Sequence, residues 1–294
     1  MPRLHPAIGI TITTLLALPH FACAPADAGT GTAAGTQTAA QEHDGPVHFV
    51  RYEIDDAVSY GVLEGGTITV IDGDIFGDHV LTSHTVPLSE VDLLPPTDPQ
   101  KVIAVGLNYQ SHLGDREASS YPGLFAKYPT SLVGHEDDII RPPDSHNLHY
   151  EGEVVLVIGR KCSKVSEADA QDCIFAVTAG NDVSERDWQA ADLQWLRAKG
   201  SDTFGPVGPS MVVGLNPDDL LVETRVNGEV RQSERTSDLI FNTSYIVSYI
   251  SQYISLEPGD LIFTGTPGST QAMEPGDVVE IEVEGVGVLR NTVR

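Results

Sequence analysis

The sequence predicts a β-rich α+β protein whose strands curl into a barrel or a sandwich. Short β-branched apolar runs bounded by glycine and proline recur along most of the chain, which is typical of strands. Only a few segments have helical periodicity, and they do not alternate regularly with the strands, which argues against a doubly wound parallel sheet. The net charge of −25 and the isoelectric point near 4.5 disfavour binding to nucleic acid and to anionic membranes.

The N-terminal segment 1–24 has the pattern of an export signal. A basic residue precedes a short apolar stretch, and Ala22-Cys-Ala24 has the form of a cleavage site. We therefore expect an exported protein, periplasmic or secreted, that is cleaved near Ala24; a lipoprotein acylated at Cys23 is the less favoured alternative. Residues 25–45 are rich in Ala, Gly and Thr and predict a linker. No later stretch is apolar for long enough to span a bilayer, so no membrane span is expected.

A small β module is predicted over residues 46–96. Alternating and β-branched runs indicate strands at Val47–Ile54, Val58–Leu63 and Thr67–Ile71. The segment Glu64-Gly-Gly66 between the last two runs predicts a hairpin turn.

The larger domain is predicted over residues 97–294. It opens with a buried strand at Lys101–Gly106, and two copies of Glu-Pro-Gly-Asp each precede a later strand. Those strands are expected at Leu261–Thr264 and Val278–Val283. The helical candidates are Ser166–Phe175, Asp187–Arg197 and Ser237–Ile254.

Two glutamates flank a glycine at the entrance of an apolar run, in Glu151-Gly-Glu153 followed by Val-Val-Leu-Val-Ile. The run predicts a buried strand, and strand alternation puts both glutamates on one face. Such carboxylates repel each other unless a cation lies between them or one of them is protonated. With Asp182 nearby they form an oxygen-rich set that suits Mg²⁺, Ca²⁺ or Mn²⁺. The plain alternative is that these acids face water.

A histidine and an acid follow the first strand of the larger domain. His112 and Asp115 are three residues apart, so a helical turn would bring their side chains together. A carboxylate beside an imidazole orients the ring and makes it a competent general base. Gly114 weakens a permanent helix, which favours a lid that orders on substrate binding. A surface histidine in a flexible loop is the alternative.

Candidate cations follow Asp182 along the chain. Arg186 and Gln189 stand at +4 and +7, on one face of a predicted helix. Arg186 would clamp a substrate carboxylate and offset the repulsion from the net negative charge. Lys199 is a further candidate, although a single lysine is more often a solvated surface charge. The segment Thr264-Gly-Thr-Pro267 ends a strand with amides and hydroxyls that would hold a carboxylate.

The two cysteines beyond residue 24 are Cys162 and Cys173. In an oxidising compartment they would be able to form a disulfide. The sequence favours this equally with the alternative of two buried free thiols. Neither has a His or Cys at zinc-ligand spacing, which argues against a zinc site.

Seven motifs occur in order along the larger domain. They are Asn108-Tyr-x-x-His112, Glu151-x-Glu153, Asp182-Val-x-x-Arg186-Asp-x-Gln189, Lys199, Asn227-Gly-Glu-x-Arg-Gln232, Thr236-Ser-Asp-Leu-Ile-Phe241 and Thr264-Gly-Thr-Pro267. Together they resemble the fumarylacetoacetate hydrolase family, in particular its acylpyruvase and oxaloacetate decarboxylase branch and the 2-hydroxyhepta-2,4-diene-1,7-dioate isomerases. The resemblance covers roughly residues 100–294, and the small β module resembles the N-terminal module of many members.

The resemblance implies a mixed β-roll catalytic core, a homodimer and a divalent metal, Mg²⁺ or Mn²⁺. By position, the implied metal ligands are Glu151, Glu153 and Asp182; the implied substrate-binding residues are Arg186, Gln189 and Thr266; the implied catalytic residues are His112, Asp115 and Lys199. Members of this branch usually carry Glu at the position of Asp115. The shorter Asp115 would still have to reach His112, or Glu117 would take its place.

The resemblance therefore implies an enzyme that acts on 2-oxo acids of the acylpyruvate type. The leading expectation is hydrolysis of a C–C bond through a metal-stabilised pyruvate enolate. An isomerase or a decarboxylase is the alternative, because the same enolate forms without an attacking water. A non-catalytic exported protein that binds keto acids or metal is a weaker alternative. The expected partner in each case is a small molecule.

Overall fold

The computed structural model describes residues 45–294, which contain nineteen strands and five helices. The strands are β1 (Val47–Ile54), β2 (Ala57–Glu64), β3 (Thr67–Gly73), β4 (His79–Pro87), β5 (Asp92–Leu93), β6 (Val102–Gly106), β7 (Gly123–Lys127), β8 (Leu132–Val133), β9 (Asp138–Ile139), β10 (Leu148–His149), β11 (Gly152–Ile158), β12 (Ile174–Asn181), β13 (Ser184–Glu185), β14 (Gly205–Val213), β15 (Leu221–Val226), β16 (Glu229–Arg235), β17 (Leu261–Phe263), β18 (Val278–Val283) and β19 (Gly287–Val293). The helices are α1 (Gln110–Leu113), α2 (Glu167–Ala170), α3 (Arg186–Ala191), α4 (Leu196–Gly200) and α5 (Thr243–Tyr253). Single 3₁₀ turns lie at Leu88–Glu90, Pro129–Ser131, Gln171–Cys173 and Thr236–Asp238.

The largest sheet has twelve strands in the order β4-β3-β2-β1-β14-β12-β11-β17-β6-β7, with β5 beside β1 and β8 beside β14. A second sheet of five strands runs β16-β15-β18-β19-β9, and β10 pairs with β13 separately. Most neighbours are antiparallel, but β17 runs parallel to β6, β8 to β14, and β9 to β19. The prediction of a β-rich α+β fold is confirmed. The sheets of the described residues are open and do not close into a barrel.

Strand β11 crosses the protein interior with apolar packing on both of its faces. Val154, Leu156 and Ile158 belong to one apolar cluster, and Val155 and Val157 belong to another. All seven residues of the strand are buried. A strand that is covered on both faces has no solvent side, which explains its uninterrupted apolar sequence.

The first strands lie where the sequence predicts them. β2 and β3 are joined by Gly65 and Gly66, which have φ of 54° and 85° and so take the turn conformation that favours glycine. β1 pairs with β14, so segment 46–96 shares a sheet with the rest of the chain. The division of the chain at residue 96 stays a prediction.

The three predicted helices are shorter than expected. Segment Ser166–Phe175 contains α2 and one 3₁₀ turn, after which the chain enters β12. Segment Asp187–Arg197 is interrupted, because Asp192 is extended (φ −80°, ψ 147°) and ends α3. In the third segment the helix begins only after Asn242, whose side chain accepts a hydrogen bond from the backbone N–H of Tyr245 and caps α5.

Cys162 and Cys173 form a disulfide across the connection between β11 and β12. The predicted export signal over residues 1–24 and almost all of the predicted linker over residues 25–45 lie outside the described residues. Within residues 45–294, no helix has the length and apolarity needed to cross a membrane.

Candidate active site

Three carboxylates meet at one end of β11. Glu151, Glu153 and Asp182 each place an oxygen within 4.8 Å of the others. All three residues are buried, with 4%, 2% and 1% of their surface exposed. The alternative that these acids face water is therefore wrong.

The pairing of β11 with β12 brings the three acids together. In this antiparallel register Gly152 faces Asn181, so Asp182 follows directly beside Glu151. The N–H of Asp182 donates to the carbonyl of Glu151 (2.9 Å), and the N–H of Glu151 donates to Oδ1 of Asn181 (2.8 Å). The residue between the glutamates must be glycine, because a Cβ at Gly152 would lie 2.1 Å from Oγ1 of Thr224.

Lys199 on α4 neutralises two members of the trio. Its Nζ donates to Oε2 of Glu151 (2.6 Å) and to Oδ2 of Asp182 (2.7 Å). Burial alone would lower the pKa of Lys199, but the adjacent carboxylates of Asp182 and Glu151 outweigh burial and raise it. Lys199 is therefore a fixed positive charge rather than a base. The alternative of a solvated surface lysine is wrong.

A second buried lysine, Lys127 at the end of β7, supports the site from behind. Its Nζ lies 2.5 Å from Oδ1 of Asp182 and also donates to the backbone carbonyl of Lys199. Burial lowers the pKa of Lys127, although Asp182 opposes this effect. Sequence reasoning missed this residue. The sequence feature that could have indicated Lys127 is a lysine at the end of an apolar run, in a chain that has few lysines.

Arg186 is held by three partners at the start of α3. Its guanidinium donates to Oε1 of Glu151 (2.5 Å), Oε1 of Gln189 (2.8 Å) and Oγ1 of Thr270 (2.9 Å). Oγ1 of Thr270 lies 2.8 Å from Nδ1 of His149, so its hydroxyl can donate to that nitrogen while it accepts from Arg186. Burial and the charge of Arg186 lower the pKa of His149 to about 4, which leaves its Nδ1 free to accept. Thr270 and His149 were not identified from the sequence.

Thr266 and the preceding Gly265 hold the start of β11 in place. The hydroxyl of Thr266 donates to the carbonyl of Gly152 (2.9 Å) and accepts from Nε2 of Gln232 (2.8 Å). The N–H of Gly265 donates to Oε2 of Glu153 (2.7 Å). Thr266 also lines the cleft described below. The Thr-Gly-Thr-Pro motif therefore positions a carboxylate of the protein itself, a role that the sequence did not indicate.

His112 lies in the same site, but the predicted pair with Asp115 is not formed. Nδ1 of His112 is 2.6 Å from the carbonyl of Gly268, and Nε2 is 3.8 Å from Oε1 of Glu151. Among the described residues, no hydrogen bond or ion pair joins His112 to Asp115 or to Glu117. The reason is local: α1 ends at Leu113, and Gly114, with φ of 60°, turns the chain away. The i, i+3 geometry of a helix therefore does not apply.

The carbonyl of Gly268 orients the ring of His112, a role that was expected of a carboxylate. A carbonyl oxygen only accepts hydrogen bonds, so Nδ1 of His112 carries the proton. In the neutral ring Nε2 then has a free lone pair, and it is the nitrogen nearer to the trio. The orientation and the tautomer of the ring are thus fixed by the backbone.

These groups line one cleft of about 590 Å³. Its walls include His112, Glu151, Glu153, Arg186, Gln189, Lys199, Thr266 and Thr270. Asp182 lies behind the wall, and Asp115 is exposed outside it. Seven of the nine predicted site residues therefore line the cleft. Asp182 contacts them from behind the wall, and Asp115 lies apart from them.

The trio fits a hard divalent cation. Oxygen donors from carboxylates are the ligands that such cations take in proteins. Burial, and then the charges of Asp182 and Glu151, raise the pKa of Glu153 well above its usual range. Glu153 is thus the member of the trio with the least compensation by positive charge, and a cation there would supply it.

Two protein families match this chain. The fumarylacetoacetate (FAA) hydrolase C-terminal family matches residues 101–294, and the Rv2993c-like, N-terminal family matches residues 47–96. Oxaloacetate tautomerase Fahd2a of Rattus norvegicus is 38% identical over 222 residues, which are 71% of this chain and 71% of the relative.

Solved structures extend the comparison to other reactions. A 2-hydroxyhepta-2,4-diene-1,7-dioate isomerase from Mycobacterium marinum is 42% identical, with a TM-score of 0.78 over 84% of this chain and 98% of that one. A maleylpyruvate hydrolase from Sphingobium sp. SYK-6 is 26% identical, with a TM-score of 0.72 over the same shares of the two chains. The relatives thus include proteins named for tautomerisation, isomerisation and hydrolysis.

The prediction of an exported protein, and with it the lipoprotein alternative at Cys23, is wrong. The related oxaloacetate tautomerases of Rattus norvegicus, Bos taurus and Homo sapiens are named as mitochondrial proteins. The pattern misled because an apolar stretch followed by small residues arises from composition alone.

The matched residues and the site agree on the family. The family match covers the chain from the start of β6 to its end, and it includes every residue of the cleft. The family resemblance predicted from the ordered motifs is confirmed: this chain belongs to the fumarylacetoacetate hydrolase family.

Proposed function

We propose that this protein is a divalent-metal-dependent enzyme that enolises 2-oxo acids, as a tautomerase or isomerase. The observation that carries the proposal is the placement of His112. Its Nε2 faces Glu151 at 3.8 Å, and no acid of the following loop, within the described residues, pairs with it. An imidazole in this position suits proton transfer to and from carbon, which needs no activated water. The relatives named as tautomerase and isomerase support the same reaction class.

Substrate binding in this proposal uses the cations of the cleft. Arg186 and Gln189, which hydrogen-bond to each other at 2.8 Å, bind the carboxylate of the 2-oxo acid. Thr266 lies near the same carboxylate, and Lys199 faces the 2-oxo group. These fixed donors offset the repulsion that the net charge of −25 exerts on an anionic substrate.

Proton transfer then uses His112. Its Nε2 takes the proton from C3, the C–H electron pair forms the C2–C3 double bond, and the charge moves to the 2-oxo oxygen. The ammonium of Lys199 stabilises that oxygen. Return of the proton to oxygen gives the enol, and its return to a conjugated carbon moves the double bond. A divalent cation held by the trio, Mg²⁺ or Mn²⁺, would polarise the 2-oxo group as a Lewis acid.

Hydrolysis of acylpyruvates is the second candidate function. The similarity to a maleylpyruvate hydrolase favours it. In that version His112 takes a proton from water, which attacks the distal carbonyl. Decarboxylation of oxaloacetate would use the same enolate with loss of CO₂ in place of a proton.

Exchange of the C3 proton tests the proposed reaction. We expect the protein to catalyse Mg²⁺-dependent deuterium exchange at C3 of 2-oxobutanoate in D₂O, followed by NMR, and to release no pyruvate and acetate from acetylpyruvate. His112→Gln should slow this exchange by roughly 10²–10⁴-fold. Asp115→Asn, outside the cleft, should change it by about twofold or less. Stoichiometric release of pyruvate that depends on Asp115 would instead establish hydrolysis.

Thr270→Val is expected to weaken substrate binding. The substitution keeps the volume but removes the hydroxyl that accepts from Arg186, so the guanidinium loses one of its three partners. We expect KM for the 2-oxo acid to rise by roughly tenfold, with kcat changed by less than about threefold, since a hydrogen bond to a charged group contributes ~1.5 kcal/mol or more. Thr270→Ser, which keeps the hydroxyl, is the control. A kcat loss without a KM change would contradict the role of Thr270.

A further inference from the structure

A second, smaller cavity opens beside the catalytic cleft. This cavity of about 260 Å³, here called the annex, shares Gly106, Leu107, Phe125 and Trp195 with the cleft. Beyond these shared residues it is lined by Leu193 and three others. The cleft and the annex are therefore adjacent, and these four residues contribute to the walls of both.

The wall that the two cavities share includes a glycine. The rings of Phe125 and Trp195 pack edge to face, with centroids 5.4 Å apart. Gly106 ends β6 next to them, and a Cβ there would lie 3.3 Å from Cζ3 of Trp195 and 3.6 Å from Cε1 of Phe125. A side chain at this position would press on both rings, so glycine allows Phe125 and Trp195 to pack closely against the end of β6.

The annex is suited to an apolar group rather than to a carboxylate. Among the described residues that line it, none is Lys or Arg. Leu193 and Leu107 are 95% and 38% exposed, so apolar surface at its rim faces solvent until something covers it. Arg116 also lines the cleft, but its guanidinium donates to the backbone carbonyls of Leu113 (3.1 Å) and His112 (3.3 Å).

We propose that the annex binds the distal group of the substrate, and that this group is apolar and of the size of an aryl ring. The inference rests on the proposed function, because it takes the carboxylate and the 2-oxo group to lie in the cleft. The substrate class is then a 2-oxo acid with one carboxylate and a bulky apolar end. A second carboxylate would enter the annex without a counter-ion, in a protein whose net charge is −25.

A pair of substrates and a pair of variants test the annex. Benzoylpyruvate and acetylpyruvate share the 2,4-dioxo acid and differ only in a phenyl or a methyl group. We expect the Mg²⁺-loaded protein to favour benzoylpyruvate in kcat/KM by at least about tenfold, since even one buried methylene discriminates by that factor. Leu193→Gln should lower this preference by roughly threefold or more. Leu196→Gln, at an exposed leucine that begins α4 and lies outside both cavities, should leave it unchanged.

The outcomes separate this inference from the proposed function. Turnover of neither substrate would overturn the proposed function itself. Equal kcat/KM for both substrates, or an equal effect of the two leucine substitutions, would overturn the annex alone. A higher kcat/KM for oxaloacetate than for both of these substrates, if Arg116→Gln abolishes it, would show that Arg116 binds the distal end of the substrate as a carboxylate. That result would also overturn the annex. A shift of Leu193→Gln to a smaller species in sedimentation would instead make the annex a contact between copies of this chain.

Discussion

Glu153→Gln is expected to abolish binding of Mg²⁺ and to lower kcat/KM by roughly a thousandfold or more. The amide keeps the volume of the side chain and an oxygen that accepts from the N–H of Gly265, so β11 keeps its position. The substitution removes one of the three carboxylate ligands of the cation. Loss of the cation as a Lewis acid then removes several kcal/mol of transition-state stabilisation. A loss of ~1.4 kcal/mol lowers the rate tenfold. Calorimetric titration with Mg²⁺ and steady-state kinetics measure the two effects.

A second buried glutamate provides the control. Glu185 is fully buried on β13, outside the trio, and its Oε1 accepts from the N–H of Asp187. Glu185→Gln preserves that acceptor and should leave Mg²⁺ binding within about twofold of the unmodified protein. Metal-dependent turnover that survives Glu153→Gln would show that the trio is not the metal site.

The sequence was sufficient for residues whose position depends on one strand and its neighbour. Glu151 and Glu153 could be placed because alternation along a strand is fixed by backbone geometry. The apolar run after them marked the strand as buried. Asp182 was joined to them by the resemblance of the ordered motifs, and the structure gives the physical reason, which is the antiparallel pairing of β11 with β12.

The sequence was insufficient for contacts that depend on the path of loops. Lys127 comes from β7, and nothing in its local sequence tells which strand edge faces α4. The pair of His112 and Asp115 failed because a helical spacing was assumed where Gly114 ends the helix after four residues. The hydrogen bond from His112 to the carbonyl of Gly268 could not be predicted either. Every residue has a backbone carbonyl, so no residue type indicates which one accepts the bond.

The largest expected effect on stability comes from Lys127→Met. The side chain of Lys127 is fully buried, and its Nζ pairs with Oδ1 of Asp182 at 2.5 Å. Methionine fills similar space but leaves one oxygen of a buried carboxylate without its cation, and breaking such a pair costs ~3–5 kcal/mol. We expect the free energy of unfolding in urea, measured in metal-free buffer, to fall by about that amount.

Mg²⁺ should restore part of the lost free energy of unfolding. The size of this effect tests whether Asp182 helps to hold the cation. A cation bound to Glu151, Glu153 and Asp182 would compensate the charge that Lys127 no longer meets, so Mg²⁺ should stabilise Lys127→Met more than the unmodified protein. Binding to the folded state at a hundred times the dissociation constant contributes ~2.7 kcal/mol. Lys101→Met is the control, because Lys101 also pairs with a buried acid, Asp260 (2.6 Å), which keeps two backbone N–H donors. Mg²⁺ should stabilise Lys101→Met by the same amount as the unmodified protein, so the smaller loss caused by Lys101→Met should remain unchanged in Mg²⁺. An equal response in both variants would mean that Asp182 takes no part in holding the cation.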